Sequence, residues 1–210
     1  MTVGNQEVLK WLNAVQGVYA ANRERLTALD SAIGDADHGT NMDRGFTAVK
    51  AELAGQASSD IGSILQKTAT VLIRSVGGAA GPLYGTFFQR AGAVCAGKTE
   101  LDADDVVAMF QAGIEGVQQR GKAVAGDKTM MDALLPALDA MRKGIDAGSS
   151  LTQILDGGAA AAESGMLATV PMQARKGRAS YLGARSVGHQ DPGAMSSFLL
   201  VRAAADTWRS

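Results

Sequence analysis

Three carboxylates fall within eight residues, Asp30, Asp35 and Asp37, in the stretch DSAIGDADHGTN at 30–41. Carboxylate oxygens are hard ligands, and crowding them is costly without a cation. Mg2+ accepts a few carboxylates and completes its shell with water or phosphate oxygens. Asp35 and Asp37 alternate along the chain, so a bend brings both onto one ion, and Gly34 and Gly39 free the backbone for that bend. An EF-hand fails, because its fifth position would be Gly39 and its twelfth Phe46. The same acids also suit helix capping, and spacing alone does not separate the two readings. His38 offers a phosphate donor or an acid–base group, or is only a loop histidine.

Further stretches suit an anion. In SVGGAAGP at 75–82 side chains are nearly absent. Backbone N–H groups there can reach a phosphate, and a helix starting near Pro82 adds its dipole. A tight helix crossing calls for the same small residues. From Ser164 to Gln190 there is no acid, while Arg175, Lys176, Arg178 and Arg185 are basic and His189 lies beside them. Arginine forks bind phosphate; a solvated loop or a protein-docking patch has the same composition. Tyr181 is the one aromatic of this segment, which argues against nucleic acid.

GDKTMMD at 126–132 reads as a helix start, with Thr129 as N-cap and Asp132 three residues on. Met130 and Met131 suit either plain core or a flat apolar pocket for a purine. Asp191, in HQDPG at 189–193, meets a ribose hydroxyl or caps the last helix. GAVCAGKT at 92–99 fits the P-loop pattern G-x-x-x-x-G-K-[ST] letter for letter. That mechanism needs a strand before the glycines and a helix at the Lys-Thr. The preceding LYGTFFQRA reads as helix, and the next helix starts only after Thr99. The match is read as a helix–loop–helix connection.

The elements that must position these groups are helical. Apolar residues recur at helical spacing over 5–29, 41–53, 61–76, from Pro82 to near Gly97, and over 102–120, 130–143, 151–167 and 194–208. Residues 171–193 read as a polar loop with a short helix at most. β-branched runs are scarce, so a large sheet has little material. The pattern predicts an all-α, antiparallel up-and-down bundle of about eight helices. No repeat or domain boundary is visible in the 210 residues, so 1–210 reads as a single domain.

Composition narrows the classes. The formal net charge is -1, so nothing global steers the chain to nucleic acid or a membrane surface. No apolar run approaches the length of a membrane span, and MTVGNQEVLKWLN lacks the apolar core of a secretory leader. Cys95 is the only cysteine, which excludes an internal disulfide framework and suits a reducing cytoplasm.

Four segments, GDADHGTNMDRGF at 34–46, SVGGAAGPLYGTFF at 75–88, RGKAVAGDKTMMDAL at 120–134 and ARKGRASYLGARSVGHQDPGA at 174–194, occur in this order. Together they resemble the nucleotide-binding L subunit of bacterial dihydroxyacetone kinase. The resemblance implies eight antiparallel helices closed into an α-barrel, with ADP or ATP and two Mg2+ in loops at one end. It implies that Asp30, Asp35 and Asp37 hold the ions and, with Arg178, serve the chemistry. His38, Gly39, Thr40 and Asn41 would contact nucleotide and phosphate, and Gly78, Ala79 and Ala80 would form the phosphate loop. Gly121 and Met130 would border the adenine, Thr129 would contact the nucleotide, and Arg178, Asp191, Pro192 and Gly193 would close over it. Members of the family commonly carry serine where this chain has Ala79-Ala80, so a hydroxyl contact is lost while backbone N–H contacts remain.

The resemblance also implies partners. A separate K subunit holds dihydroxyacetone covalently, and a phosphohistidine-carrying M subunit of the phosphotransferase system recharges bound ADP. The 174–194 segment looks like this phosphotransferase-linked type. Two alternatives belong to the same family: an ATP-dependent kinase subunit for dihydroxyacetone or a keto-sugar such as erythrulose, and a nucleotide-state sensor that docks a transcription regulator. A degraded aspartate triad would mark the sensor, and here the triad is intact. No direct nucleic-acid or membrane partner is expected.

Overall fold

The computed structural model describes residues 2–55 and 60–209. Among them are nine α-helices: α1 (Asn5–Ala21), α2 (Arg23–Ile33), α3 (His38–Glu52), α4 (Ile61–Ser75), α5 (Ala80–Val94), α6 (Ala103–Gly121), α7 (Met131–Asp146), α8 (Leu151–Ala168) and α9 (Pro192–Thr207). A 3-10 segment spans Arg178–Ser186 and is kinked at Gly183. The expected all-α class holds. The count differs, because residues 5–29 are two helices rather than one. At Asn22 the backbone leaves helical geometry (φ −104°, ψ 10°) and the Asn22 side chain donates to Val18 O at 2.8 Å, closing α1. Two short strands, β1 (Val3–Gly4) and β2 (Glu100–Leu101), pair antiparallel with Val3 opposite Leu101.

Local chemistry sets the helix starts. Asp60, Asp102 and Asp191 accept the backbone N–H groups of Ser63, Asp105 and Ala194. Ser150 and Gln153 form a capping box on α8. Pro192 opens α9, where a missing N–H costs nothing. Inside α7, Pro136 cannot donate to the carbonyl of Asp132. Gly165 of α8 lies against that carbonyl, and a Cβ there would fall 2.0 Å from it.

Contacts run from α1 to α3, then α3–α4, α4–α5, α5–α6, α6–α7, α7–α8 and α8–α9, and α9 also touches α1 and α7. The core gathers most of the few aromatics. Trp11 lies 5.8 Å from Phe88, 5.9 Å from Phe110 and 5.0 Å from Trp208 between ring centroids, and Tyr19 lies 4.9 Å from Phe46. Buried indoles need acceptors: Trp11 Nε1 donates to Leu200 O and Trp208 Nε1 to Glu7 O.

The P-loop-like stretch carries no phosphate geometry. Gly92 lies inside α5, Gly97 sits in a turn at φ +75°, and Lys98 pairs with Asp105. Among the described residues no helix is long and apolar enough to cross a membrane.

Candidate functional site

The turn between α2 and α3 builds the acidic cluster. Asp30 stands buried in the last turn of α2, and its Oδ2 accepts from Asp37 N at 2.8 Å and His38 N at 3.1 Å. That carboxylate folds the loop back on itself. A Cβ at position 34 would fall 1.9 Å from Asp30 Oδ1, so a larger residue there would push that carboxylate out of place. Ala36 adopts φ +61°, a strained value for a residue with a Cβ. The result brings carboxylate oxygens of Asp30, Asp35 and Asp37 within 4.8 Å of one another. Arg178 Nη2 reaches Asp35 Oδ2 at 3.0 Å. All-oxygen carboxylate donors converging in this way suit a hard divalent cation such as Mg2+.

These acids form one side of a cleft of about 820 Å3. Gly77, Gly78, Ala79 and Ala80 line it as well. Gly78 sits at φ +62°, and Gly81 is obligatory because a Cβ would lie 2.2 Å from Val76 O. α5 begins at Ala80, earlier than its proline suggests, and no side chain caps it. Its first N–H groups have no intrahelical partner, which suits an anion. Asn41 sits under the glycine loop: a Cβ on Gly77 would be 3.1 Å from Asn41 Nδ2, and Arg44 Nη2 donates to Asn41 Oδ1 at 2.6 Å.

Further lining comes from Leu83 and Tyr84 of α5, Lys128–Met130, Arg175–Tyr181 and Asp191–Gly193. The 3-10 segment is anchored over the acids by a small apolar cluster of Ile33, Ala174 and Ala179, with Leu182 against it. Asp191 caps α9, its Oδ2 accepting from Ala194 N at 2.7 Å. Burial pushes the Asp191 carboxyl up to about 7; the Ala194 N–H and Lys128 oppose this, while Asp132 and Asp30 add to it. His38 Nε2 lies 2.9 Å from Ser196 Oγ, which lies 2.7 Å from Tyr84 OH. Burial lowers the His38 pKa against the pull of Asp30, Asp37 and Asp35. The imidazole is therefore held toward its neutral form and fixed by a hydroxyl of α9.

The cleft unites Asp30, Asp35, Asp37, His38, Asn41, Gly78, Ala79, Ala80, Thr129, Met130, Arg178, Asp191, Pro192 and Gly193. Gly121 lies in an adjoining apolar pocket of about 310 Å3 that shares Ala79, Thr129 and Met130 with the cleft. Gly39 and Thr40 do not line the cleft. Gly39 is a spacer, since a Cβ would fall 2.0 Å from Arg23 O of α2. Thr129 is not the N-cap of α7, which is Met130. Instead Asp132 Oδ2 accepts from Thr129 N at 2.8 Å. Lys128, Tyr84 and Ser196 escaped the sequence reading. Their roles depend on partners up to 61, 112 and 158 residues away, respectively, and no local spacing encodes them.

The DAK2 domain family matches residues 32–206, and the chain belongs to it. Within that family it is similar to ADP-binding subunits. It is 45% identical over 202 residues, 96% of each chain, to the PEP-dependent dihydroxyacetone kinase, ADP-binding subunit DhaL of Escherichia coli (strain K12). It is 44% identical over 181 residues, 85% of this chain and 83% of the relative, to the PEP-dependent dihydroxyacetone kinase 2, ADP-binding subunit DhaL of Listeria innocua. Its fold is similar to the dihydroxyacetone kinase from C. freundii in complex with AMP-PNP and Mg2+, with a TM-score of 0.71 and 24% identity. That match covers 95% of this chain and 33% of the kinase chain.

Proposed function

We propose that this chain is the ADP-binding subunit of a PEP-dependent dihydroxyacetone kinase and passes a phosphoryl group to dihydroxyacetone held on a separate K subunit. The observation that carries the reading is the cluster of Asp30, Asp35 and Asp37 in one cleft with the Gly77–Ala80 loop. A carboxylate trio and a side-chain-free loop in one cleft suit a metal-bound polyphosphate. The 45% identity to the E. coli ADP-binding subunit supports the particular assignment.

The three aspartates would hold two Mg2+, which supply charge neutralisation at the phosphates when bound. Backbone N–H groups of Gly78 to Ala80 would hold phosphate oxygens. Arg178, on the rim beside Asp35, would add a guanidinium to the transferring group. His38 and Asn41 would orient phosphates from the start of α3. The adjoining pocket, with Gly121, Met130 and Met131, is apolar enough for adenine. Asp191 would meet a ribose hydroxyl, and Asp191, Pro192 and Gly193 at the head of α9 would close over the nucleotide. No general base is required on this chain if the partner holds the acceptor hydroxyl. Catalysis then rests on positioning and charge.

The same reading extends to architecture and setting. Helix contacts that return from α9 to α1 support an antiparallel α-barrel, with the cleft at one end. The chain would act as one domain, in the cytoplasm, with the K subunit as acceptor and a phosphohistidine M subunit as donor. Mixing the chain with both subunits and dihydroxyacetone tests this. Dihydroxyacetone phosphate should form with phosphorylated M subunit, and Asp35→Asn should abolish it. Product from ATP alone would select the ATP-dependent variant. No product from either donor would overturn the assignment.

A further inference from the structure

Lys128 is only 1% exposed, although it is a lysine at the edge of the cleft. Its Nζ donates to Ser186 O at 2.7 Å, Thr169 O at 2.9 Å, Met172 O at 3.0 Å and Val170 O at 3.5 Å, and also to His189 O. Among the described residues it makes no ion pair within 4 Å. An ammonium has three protons and no acceptor. Five carbonyl oxygens around it is the shell of a desolvated monovalent cation, of the kind that backbone carbonyls build for K+. The backbone of Lys128 sits at φ +60°, a strained value held against that shell.

The shell has a consequence for the cleft. Its oxygens come from the end of α8, the end of the 3-10 segment and the turn before α9. Those segments flank Arg178 and Asp191, and Lys128 itself precedes Thr129 and Met130. One buried charge therefore ties together the segments of one wall. Burial lowers the Lys128 pKa while Asp191 raises it. A neutral amine would aim its lone pair at carbonyl oxygens, so the shell is complementary to the ammonium. With every approach taken by a carbonyl, Lys128 is not a nucleophile or base.

We infer that Lys128 is a positioning residue, a built-in monovalent cation that orders the wall carrying Thr129, Met130, Arg178 and Asp191 around the nucleotide. This rests on the nucleotide reading above. The inference makes a specific demand: Lys128→Ala leaves a carbonyl cage that K+ or NH4+ can enter. Lys128→Met fills the same cage with an apolar chain and admits no ion.

The test measures Mg–ADP affinity by calorimetry and hydrogen exchange over 169–191, at constant ionic strength in choline, potassium or ammonium chloride. In choline, Lys128→Ala should lose about tenfold or more in affinity and exchange faster over 169–191. Potassium or ammonium should restore both, while wild type and Lys128→Met should not respond. A variant that folds only with K+ or NH4+ counts as restored; one that folds in none of the salts overturns the proposal. So do wild-type affinity in choline, a loss that neither cation restores, or an equal response from Lys128→Met. If wild type binds no Mg–ADP, the nucleotide reading fails. Cation-dependent exchange over 169–191 then still decides the role of Lys128.

Discussion

Arg178 Nη2 lies 3.0 Å from Asp35 Oδ2, the one ion pair among the described residues that joins the 3-10 segment to the acid loop. A metal ion bound at the cluster would compete with the guanidinium for the same carboxylate. Both side chains are substantially exposed, at 64% and 41%, so the pair is worth under about 1 kcal/mol. Arg178→Ala should therefore tighten Mg2+ binding measured without nucleotide, by no more than about fivefold. It should weaken Mg–nucleotide binding, because the phosphate loses its guanidinium. Titration calorimetry with and without nucleotide checks both signs. Weaker Mg2+ binding in the nucleotide-free titration would contradict the competition.

The three aspartates differ in structural duty. Asp30 accepts two backbone N–H groups and is buried, while Asp35 is exposed and shapes no loop. Asp30→Ala should cost about 1–3 kcal/mol of stability as well as metal binding. Asp35→Asn should lose phosphoryl transfer with stability within about 0.5 kcal/mol of wild type. Thermal melts beside transfer assays separate the two. Full transfer by Asp35→Asn would remove that residue from the site.

Ala79 is exposed in the cleft, one residue before α5. Ala79→Ser should add one hydroxyl to a phosphate and tighten Mg–nucleotide binding by about tenfold, the low end of what a hydrogen bond to a charged group is worth. Unchanged affinity would place the phosphate away from Ala79.

The raised Asp191 carboxyl predicts a pH signature. Its folded pKa of about 7 lies above the unfolded value of 3.8, so the folded state binds the extra proton between them. The stability from that protonation is full below the unfolded value and is lost as pH rises through 7. His38, with a lowered pKa, works in the opposite sense, so wild type alone does not isolate the effect. The melting temperature of wild type minus that of Asp191→Asn should fall as pH rises from about 5 to about 8. A difference that stays flat over that range would show an ordinary Asp191.

The helices and the candidate phosphate loops were legible in the sequence because both are local. Apolar spacing marked helical stretches over all nine described α-helices but merged α1 with α2, and Asp191 was legible as a possible cap of α9. The break at Asn22 was hidden, because no glycine or proline marks it and Leu26 continues the apolar stripe. β1 and β2 have two residues each, too few for any alternation to show. Asp30, Asp35 and Asp37 were visible as a cluster, but the reason they converge was not: Asp30 folding the loop through its own carboxylate is a tertiary hydrogen-bond pattern. Gly39 looked like a ligand residue; its packing duty, making room for a carbonyl of α2, was not visible. Lys128 looked like a charged residue at a helix start. Its acceptors lie 41 to 61 residues downstream and are backbone atoms, which a side-chain pattern cannot reveal.

The most direct test of the nucleotide reading is the nucleotide content of freshly purified protein. One sample is dialysed extensively with Mg2+ and another with EDTA, and released nucleotide is quantified by chromatography after denaturation. Near-stoichiometric ADP that survives dialysis with Mg2+ and leaves with EDTA is the predicted result, because the carboxylate cluster would clamp the nucleotide through metal. Protein that retains no nucleotide and binds neither ADP nor ATP when Mg2+ is present would contradict the account.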